Sequence, residues 1–267
     1  MQLKADVEYA AGQQSNAMFG PLRAAVRPLP EAPDVEAIIG GETWKVIKNT
    51  KSIPYKAVCY IEATFPSGNT FIATGAFVGP RVVLTVAHAC YDSSEGGFAT
   101  TLQVFPGRNG SSSPYGSQVA LFPAVPTLWT TTEEDNRDYD IAWIVLPDTT
   151  LHNKVKYYFG YKPTTDSDLR DAKLNMSGYP GTKGQKQYHE ANKTAKQDVS
   201  AMQFKHYLDT VGGSSGSPMY LLPKGRQIVG VNCAEVIPGW PFNPYNIATR
   251  MTNDYYNITK QYNTSYH

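Results

Sequence analysis

The stretch KAVCYIEATF-PSGN-TFIATGAFV-GPR-VVLTVAHA, residues 56–89, decides the fold class of this chain of 267 residues. Three runs rich in β-branched and aromatic residues are separated by PSGN and GPR, which are typical turn sequences. The pattern returns in YDIAWIVL (139–146), LNMSGY (174–179) and RQIVGVNCAEV (226–236). Short strands at roughly 8–12-residue spacing indicate an all-β barrel or sandwich.

The two ends of the chain depart from this pattern. Residues 1–36 include the proline-rich, acidic stretch VRPLPEAPDVE, which is typical of an extended arm, linker or pro-segment. The first twenty residues lack the apolar run of a signal peptide, so either a signal has been removed or export does not use this route. Near the other end, apolar residues at helical spacing predict a C-terminal helix over about 248–262. They are Met251, Tyr255, Ile258 and Tyr262.

The composition argues against several classes of protein. Lys and Arg number 24 and Asp and Glu 23, so the net charge of +1 provides no field to attract nucleic acid. No apolar run approaches the ~18 residues that span a bilayer. We therefore expect neither a nucleic-acid partner nor a membrane partner.

The sequence contains no pattern typical of a metal or cofactor site. The three cysteines, Cys59, Cys90 and Cys233, form no C-x-x-C pair and are expected to be free, buried thiols. We interpret the other candidate ligands as surface or structural histidines and as a solvated acidic loop rather than a calcium site. These are His152, His189 and His206, and Glu133, Glu134, Asp135 and Asp138.

Three local motifs together indicate nucleophilic catalysis. His88 follows an apolar run in TVAHAC, Asp140 opens the run DYDIAWIVL, and Ser215 lies in the glycine-rich DTVGGSSGSP. Each motif alone has an ordinary structural explanation, but the set in this order matches a Ser-His-Asp triad. His88 would take the proton of Ser215, and Asp140 would hold the imidazole tautomer. The N–H groups of Gly213 and Ser215 would form the oxyanion hole.

A competing motif overlaps the same loop. Gly212, Ser214 and Gly216 form G-x-S-x-G, the nucleophile elbow of α/β-hydrolases. That fold requires an Asp and a His after the serine, yet the only histidine downstream of Ser214 is His267, the last residue. The pattern of short strands also disfavours this esterase interpretation.

With these motifs the sequence resembles chymotrypsin-fold serine peptidases, and more narrowly the V8-like glutamyl endopeptidase group. The resemblance covers about residues 37–262 and depends most on segments 53–89, 139–146, 177–184 and 207–220. It implies two antiparallel six-stranded β-barrels, about 37–150 and 151–247, with the C-terminal helix. It also implies a secreted endopeptidase of protein or peptide substrates, here expected to be a monomer.

The resemblance further divides the chain at its start. It implies that residues 1–36 are a pro-segment or N-terminal extension, with a cut after Glu36, and that 37–267 is the peptidase domain. Five N-x-S/T triplets accord with an extracellular location. They begin at Asn109, Asn175, Asn192, Asn257 and Asn263.

The residues that would bind the substrate side chain depart from the family. Glutamyl endopeptidases of this group use a histidine where this chain has Asn232, whereas their threonine is kept as Thr210. A neutral amide binds a carboxylate more weakly than a cation does, so a preference for Glu should weaken. Asp209 and Glu235 fall at the pocket walls and could favour Lys or Arg, although Asp209 could equally be a buried, hydrogen-bonded wall residue.

Two rivals to the active endopeptidase remain at this point. One is a non-catalytic peptidase homologue that acts as a binding module, although such proteins usually lose a triad residue. The other is an inactive precursor that requires removal of residues 1–36.

Overall fold

The computed structural model describes residues 7–9, 39, 41–131, 137–170, 172–194, 199–222, 225–236 and 245–267. These residues form eighteen β-strands, most of them short. They are β1 (Val7–Tyr9), β2 (Lys45–Val46), β3 (Val58–Thr64), β4 (Thr70–Phe77), β5 (Val82–Thr85), β6 (Tyr91–Asp92), β7 (Gly97–Phe98), β8 (Thr101–Pro106), β9 (Gln118–Val119), β10 (Phe122–Pro126), β11 (Ala142–Val145), β12 (Gly160–Tyr161), β13 (Lys173–Gly178), β14 (Tyr188–Thr194), β15 (Gln203–His206), β16 (Pro218–Leu221), β17 (Gln227–Val236) and β18 (Tyr245–Arg250).

Two eight-stranded sheets contain nearly all of these strands. The first has the order β1-β10-β11-β5-β4-β3-β8-β9, and every neighbouring pair in it is antiparallel. The second has the order β15-β18-β17-β16-β13-β14-β2, with β12 pairing in parallel with β17. Strands β6 and β7 form a separate hairpin.

The burial pattern explains why the sequence forms these sheets. Strand β11, with the sequence AWIV, is buried throughout, whereas β8 alternates between partly buried and buried residues. Continuous apolar runs suit strands covered on both sides, and alternation suits strands with one covered face. The first sheet therefore encloses the main core, which includes Trp143, Phe77 and Leu84.

The described residues also form four α-helices, and the last of these helices covers the first sheet. They are α1 (Thr127–Thr131), α2 (Thr150–Val155), α3 (Asp166–Leu169) and α4 (Asn253–Ser265). In α4, Tyr262 stacks on Trp143 with ring centroids 5.9 Å apart, and the Thr259 hydroxyl accepts the indole N–H of Trp143 at 2.8 Å. No helix among the described residues is long and apolar enough to cross a bilayer.

The structure confirms the predicted all-β fold with a C-terminal helix, and it corrects some details. Each sheet has eight strands rather than six because short peripheral strands, such as β1 and β9, extend it. Strand β2 lies in the predicted first barrel but pairs with β14 in the second sheet. The helix begins at Asn253 rather than 248, since 248–250 belong to β18 and the Thr252 side chain caps the helix.

Candidate active site

His88 and Asp140 are brought together by two neighbouring strands of the first sheet. His88 lies in a short 3-10 turn three residues after the end of β5, and Asp140 lies two residues before β11. These strands pair with Thr85 opposite Ala142, so the two side chains leave the same edge of the sheet. The His88 Nδ1 atom lies 2.7 Å from Asp140 Oδ2, and the His88 backbone N–H donates to Oδ1 at 3.0 Å.

This pairing fixes the protonation pattern of the imidazole. An ionised carboxylate only accepts hydrogen bonds, so Nδ1 must carry the proton that lies between the two groups. The Nε2 lone pair is then left to act as a base. The His88 side chain is 19% exposed while that of Asp140 is 0% exposed, so the ring can meet a substrate that the carboxylate cannot.

Asp140 is held ionised in a fully buried position. Burial alone would raise the pKa of Asp140, but the charge and hydrogen bonds of His88 and the charge of Arg137 outweigh it, so the pKa is lowered below its ordinary value. Arg137 Nη1 donates to Oδ2 at 3.2 Å. The Thr249 hydroxyl, from the second sheet, lies 3.0 Å from the Asp140 carbonyl.

The Ser215 loop precedes β16 in the second sheet and docks against the first. The Thr74 N–H donates to the Ser215 carbonyl at 2.7 Å, and the Thr74 hydroxyl donates to the Gly213 carbonyl at 2.8 Å. Gly216 has φ +82°, and a Cβ there would collide with the Thr74 carbonyl and the Thr85 hydroxyl. Since Thr85 is three residues before His88, this contact brings the loop to the histidine.

The peptide groups of this loop leave two donors unused. Gly213 has φ +92°, and a Cβ there would lie 2.6 Å from the Tyr179 carbonyl, so only glycine fits. The Gly212 carbonyl is turned away and accepts the Gly181 N–H at 2.6 Å. Within the described part of the chain, the N–H groups of Gly213 and Ser215 donate to no partner. Two free N–H groups beside one serine can bind a developing oxyanion.

The Asp209 side chain is buried and hydrogen-bonded, so its carboxylate is not free to face a substrate. Its carboxylate is fully buried and accepts the N–H of Ile39 at 3.0 Å and the N–H of Thr43 at 2.7 Å. The Thr43 hydroxyl donates to the same carboxylate at 3.0 Å and also contacts buried Glu190. These contacts agree with the alternative that Asp209 is a buried, hydrogen-bonded residue. Its carboxylate holds Ile39 and Thr43 in place.

Asn232 lies beside the Ser215 loop with a partner that the sequence interpretation missed. Its carbonyl accepts the Gly216 N–H at 2.8 Å, and its side chain contacts the Nε2 atom of buried His206 at 3.1 Å. Of the two alternatives for His206, a surface or a structural histidine, the structure supports the structural one, because Phe204 and His206 are the buried residues of β15. This alternation with a period of two is the sequence signal that could have predicted the burial of His206.

The remaining site predictions have simple outcomes. Thr210 is fully buried next to Asp209, while the side chain of Glu235 lies outside the described residues, as do Glu133, Glu134 and Asp135. The predicted free cysteines are confirmed, and all three are buried. The described residues contain no group of three or more His, Cys, Asp or Glu that could hold a metal ion.

Comparison with known proteins gives a consistent family. The family profile described as Trypsin matches residues 44–258. The glutamyl endopeptidase of Bacillus licheniformis is 33% identical over 236 residues, which cover 86% of this chain and 71% of that protein. A Bacillus subtilis protein named extracellular metalloprotease is 30% identical and aligns with 83% of this chain and 68% of its own length.

A solved structure agrees with these relatives. A Glu endopeptidase in complex with MPD aligns with a TM-score of 0.72 and 26% identity, covering 85% of this chain and 99% of that one. This alignment confirms the predicted chymotrypsin-like fold.

Proposed function

Because the chain belongs to the trypsin family of chymotrypsin-fold serine peptidases and is a serine endopeptidase close to the glutamyl endopeptidases, we propose that it is secreted and cleaves peptide bonds through a triad of Ser215, His88 and Asp140. The observation that carries this proposal is the 2.7 Å contact between His88 Nδ1 and a fully buried, ionised Asp140. A histidine that acts as a base through Nε2 requires a buried carboxylate hydrogen-bonded to Nδ1.

In the first half of the reaction, Ser215 Oγ attacks the substrate carbonyl carbon as His88 Nε2 takes the hydroxyl proton. The C–N bond then breaks, and His88 returns the proton to the departing amine. Asp140 stabilises the transient imidazolium and keeps the proton on Nδ1. Water repeats the sequence on the acyl-enzyme and releases the acid.

The oxyanion of each tetrahedral intermediate would accept the N–H groups of Gly213 and Ser215. Their lack of other partners among the described residues supports this role, since preorganised donors need no rearrangement as charge develops. The described His88 ring and Ser215 hydroxyl are not hydrogen-bonded to each other. In unliganded sites such bonds are often long and shorten when substrate binds.

The P1 residue, whose carbonyl is attacked, would meet Thr210 and Asn232, with Asp209 behind them and Glu235 as a further wall. The hydrogen bonds of Asp209 to Ile39 and Thr43 argue against a role in binding P1 Lys or Arg. The name of the B. licheniformis relative favours Glu.

Labelling with a fluorophosphonate, which reacts with an activated serine, tests the function. We expect label on Ser215 in the chain lacking residues 1–36, none in Ser215→Ala, and full labelling in the matched control Ser214→Ala. A chain that is labelled only after residues 1–36 are removed is a precursor.

Two results would overturn the proposal. Absence of label in the shortened, folded wild-type chain would indicate the non-catalytic homologue. Loss of label in Ser214→Ala together with retention in Ser215→Ala would move the nucleophile to the neighbouring serine.

A further inference from the structure

A chain of hydrogen bonds runs behind the proposed P1 pocket, from the backbone that follows β15 to the Ser215 loop. The Leu208 N–H donates to His206 Nδ1 at 3.3 Å, and His206 Nε2 lies 3.1 Å from Asn232 Oδ1. Asn232 Nδ2 then donates to the Ser214 carbonyl at 3.3 Å. The side chains of His206 and Asn232 are almost completely buried.

The direction of every bond in this chain is determined. Because His206 Nδ1 accepts a backbone N–H, it carries no proton, and the neutral ring must carry its proton on Nε2. Nε2 can then only donate to Asn232, so the atom facing it is the amide oxygen. Burial lowers the pKa of His206 to about 4, against a smaller opposing effect of its hydrogen bond to Asn232, which agrees with a neutral ring at pH 7.

This orientation presents the amide nitrogen of Asn232 at the catalytic loop. One of its two hydrogens goes to the carbonyl of Ser214, the residue before the proposed nucleophile. The second hydrogen has no acceptor among the residues that the structure describes. A buried donor without an acceptor costs free energy, and a bound ligand with an acceptor at this place would recover it.

The ligand that suits this donor is defined by its chemistry. The group is neutral, and no Lys or Arg in the described parts of the chain contacts Asn232. A neutral N–H binds an amide oxygen and a carboxylate oxygen with similar geometry, and it lacks the charge that would strongly separate them.

We propose that His206 is a positioning residue that fixes the Asn232 amide with its NH₂ group toward the substrate, so that the enzyme accepts P1 Gln and P1 Glu alike. The inference rests on the proposed function, because P1 is defined only if Ser215 attacks the substrate. It concerns selectivity and leaves the chemical step unchanged.

The test is a set of peptides that differ only at P1, with Gln, Glu or Leu there, cleaved by whichever form of the protein takes the fluorophosphonate label, the full chain or the chain processed after Glu36. We expect kcat/KM for Gln and Glu to agree within about fivefold, and each to exceed that for Leu by about tenfold, the typical contribution of one neutral hydrogen bond. A preference for Glu over Gln above a hundredfold, or equal cleavage of Leu, would overturn the proposal.

Two substitutions at His206 separate positioning from bulk structure. Glutamine places an N–H near the position of the histidine Nε2, so His206→Gln should keep the ratio of kcat/KM for Gln to Leu. His206→Phe removes the donor, lets the amide rotate, and should bring that ratio to about one. A purely structural role would lower all three rates together without changing their ratio, and such a result would contradict the proposal.

A substitution at Asn232 gives an independent measurement if His206→Phe does not fold. Asn232→Asp replaces the donor by a carboxylate of the same shape, so cleavage after Glu should fall by more than a hundredfold and cleavage after Gln by about tenfold. Equal losses for Glu, Gln and Leu would count against the proposal. Fluorophosphonate labelling of each variant distinguishes the two failures: labelled enzyme with a flat P1 profile refutes only this inference, whereas unlabelled wild type refutes the function itself.

Discussion

Asp140 and Asp209 are both fully buried, yet they are held in opposite ways. Asp140 accepts hydrogen bonds from the side chains of His88 and Arg137 and from the His88 backbone. Among the described residues, Asp209 accepts only the N–H groups of Ile39 and Thr43 and the Thr43 hydroxyl. The residue type and the burial are the same, and only the donors differ.

The donors decide what each carboxylate can do. A histidine ring can gain and lose a proton during a reaction, so the fixed negative charge of Asp140 can stabilise the imidazolium that forms. Peptide N–H groups and hydroxyls do not titrate in this range, so Asp209 can only hold chain segments in place. Substitutions should therefore change catalysis at the first aspartate and stability at the second.

The largest expected effect is at Asp140. Asp140→Asn keeps the shape of the side chain but allows the wrong imidazole tautomer, so kcat should fall by about 10⁴. Steady-state kinetics on protein whose fold is verified by circular dichroism measures this. A loss below tenfold would mean that Asp140, like Asp209, has only a structural role.

The second expected effect is at Asp209. Asp209→Asn places one amide donor against the N–H groups of Ile39 and Thr43, and the free energy of unfolding should fall by about 3 kcal/mol. Urea denaturation of the full chain measures it. Thr43→Val is the matched control, and it should cost about 1 kcal/mol because it removes a hydroxyl and leaves both N–H bonds. If Asp209→Asn lost activity and no stability, the comparison would fail.

The sequence predicted a partner for the first aspartate but none for the second. His88 and Asp140 adjoin two long apolar runs, and such runs predict neighbouring buried strands. The partners of Asp209 are 166 and 170 residues away in a segment with no apolar period, and their contact depends on β2 crossing to the second sheet. The sequence left His206 as either a surface or a structural histidine, because β15 spans only four residues and its alternation is short.

A third effect is expected when the pH falls, because acid affects the contribution of His206 to stability but leaves Asp140 ionised. The folded pKa of His206 is about 4, below the ordinary 6.5, so its contribution to stability is complete above pH 6.5 and is lost as the pH falls toward 4. Asp140 remains ionised over this range because its pKa is lowered. Between pH 7 and pH 5, His206 alone should reduce the free energy of unfolding by about 2 kcal/mol.

The control for this prediction is a variant without a titratable side chain at position 206. His206→Gln has no titratable group, so its stability should fall by about 2 kcal/mol less than that of the wild type over the same pH range. Equal losses in the two proteins would show that other groups cause the acid sensitivity.

The smallest effect concerns the cation beside Asp140. Removing the guanidinium in Arg137→Gln takes away one of the charges that lower the pKa of Asp140, so Asp140 becomes protonated at a higher pH. The acid limb of the kcat/KM profile should then move to higher pH by about half a unit, while the plateau changes by less than about threefold. Arg137→Lys keeps the charge and should leave the limb in place. Both variants keep the backbone carbonyl of residue 137 that accepts the Thr249 hydroxyl, so the link to the second sheet is the same in each. A shift of the same size in both would mean that the guanidinium acts by shape, as the donors of Asp209 do, and would remove the electrostatic distinction between the two aspartates.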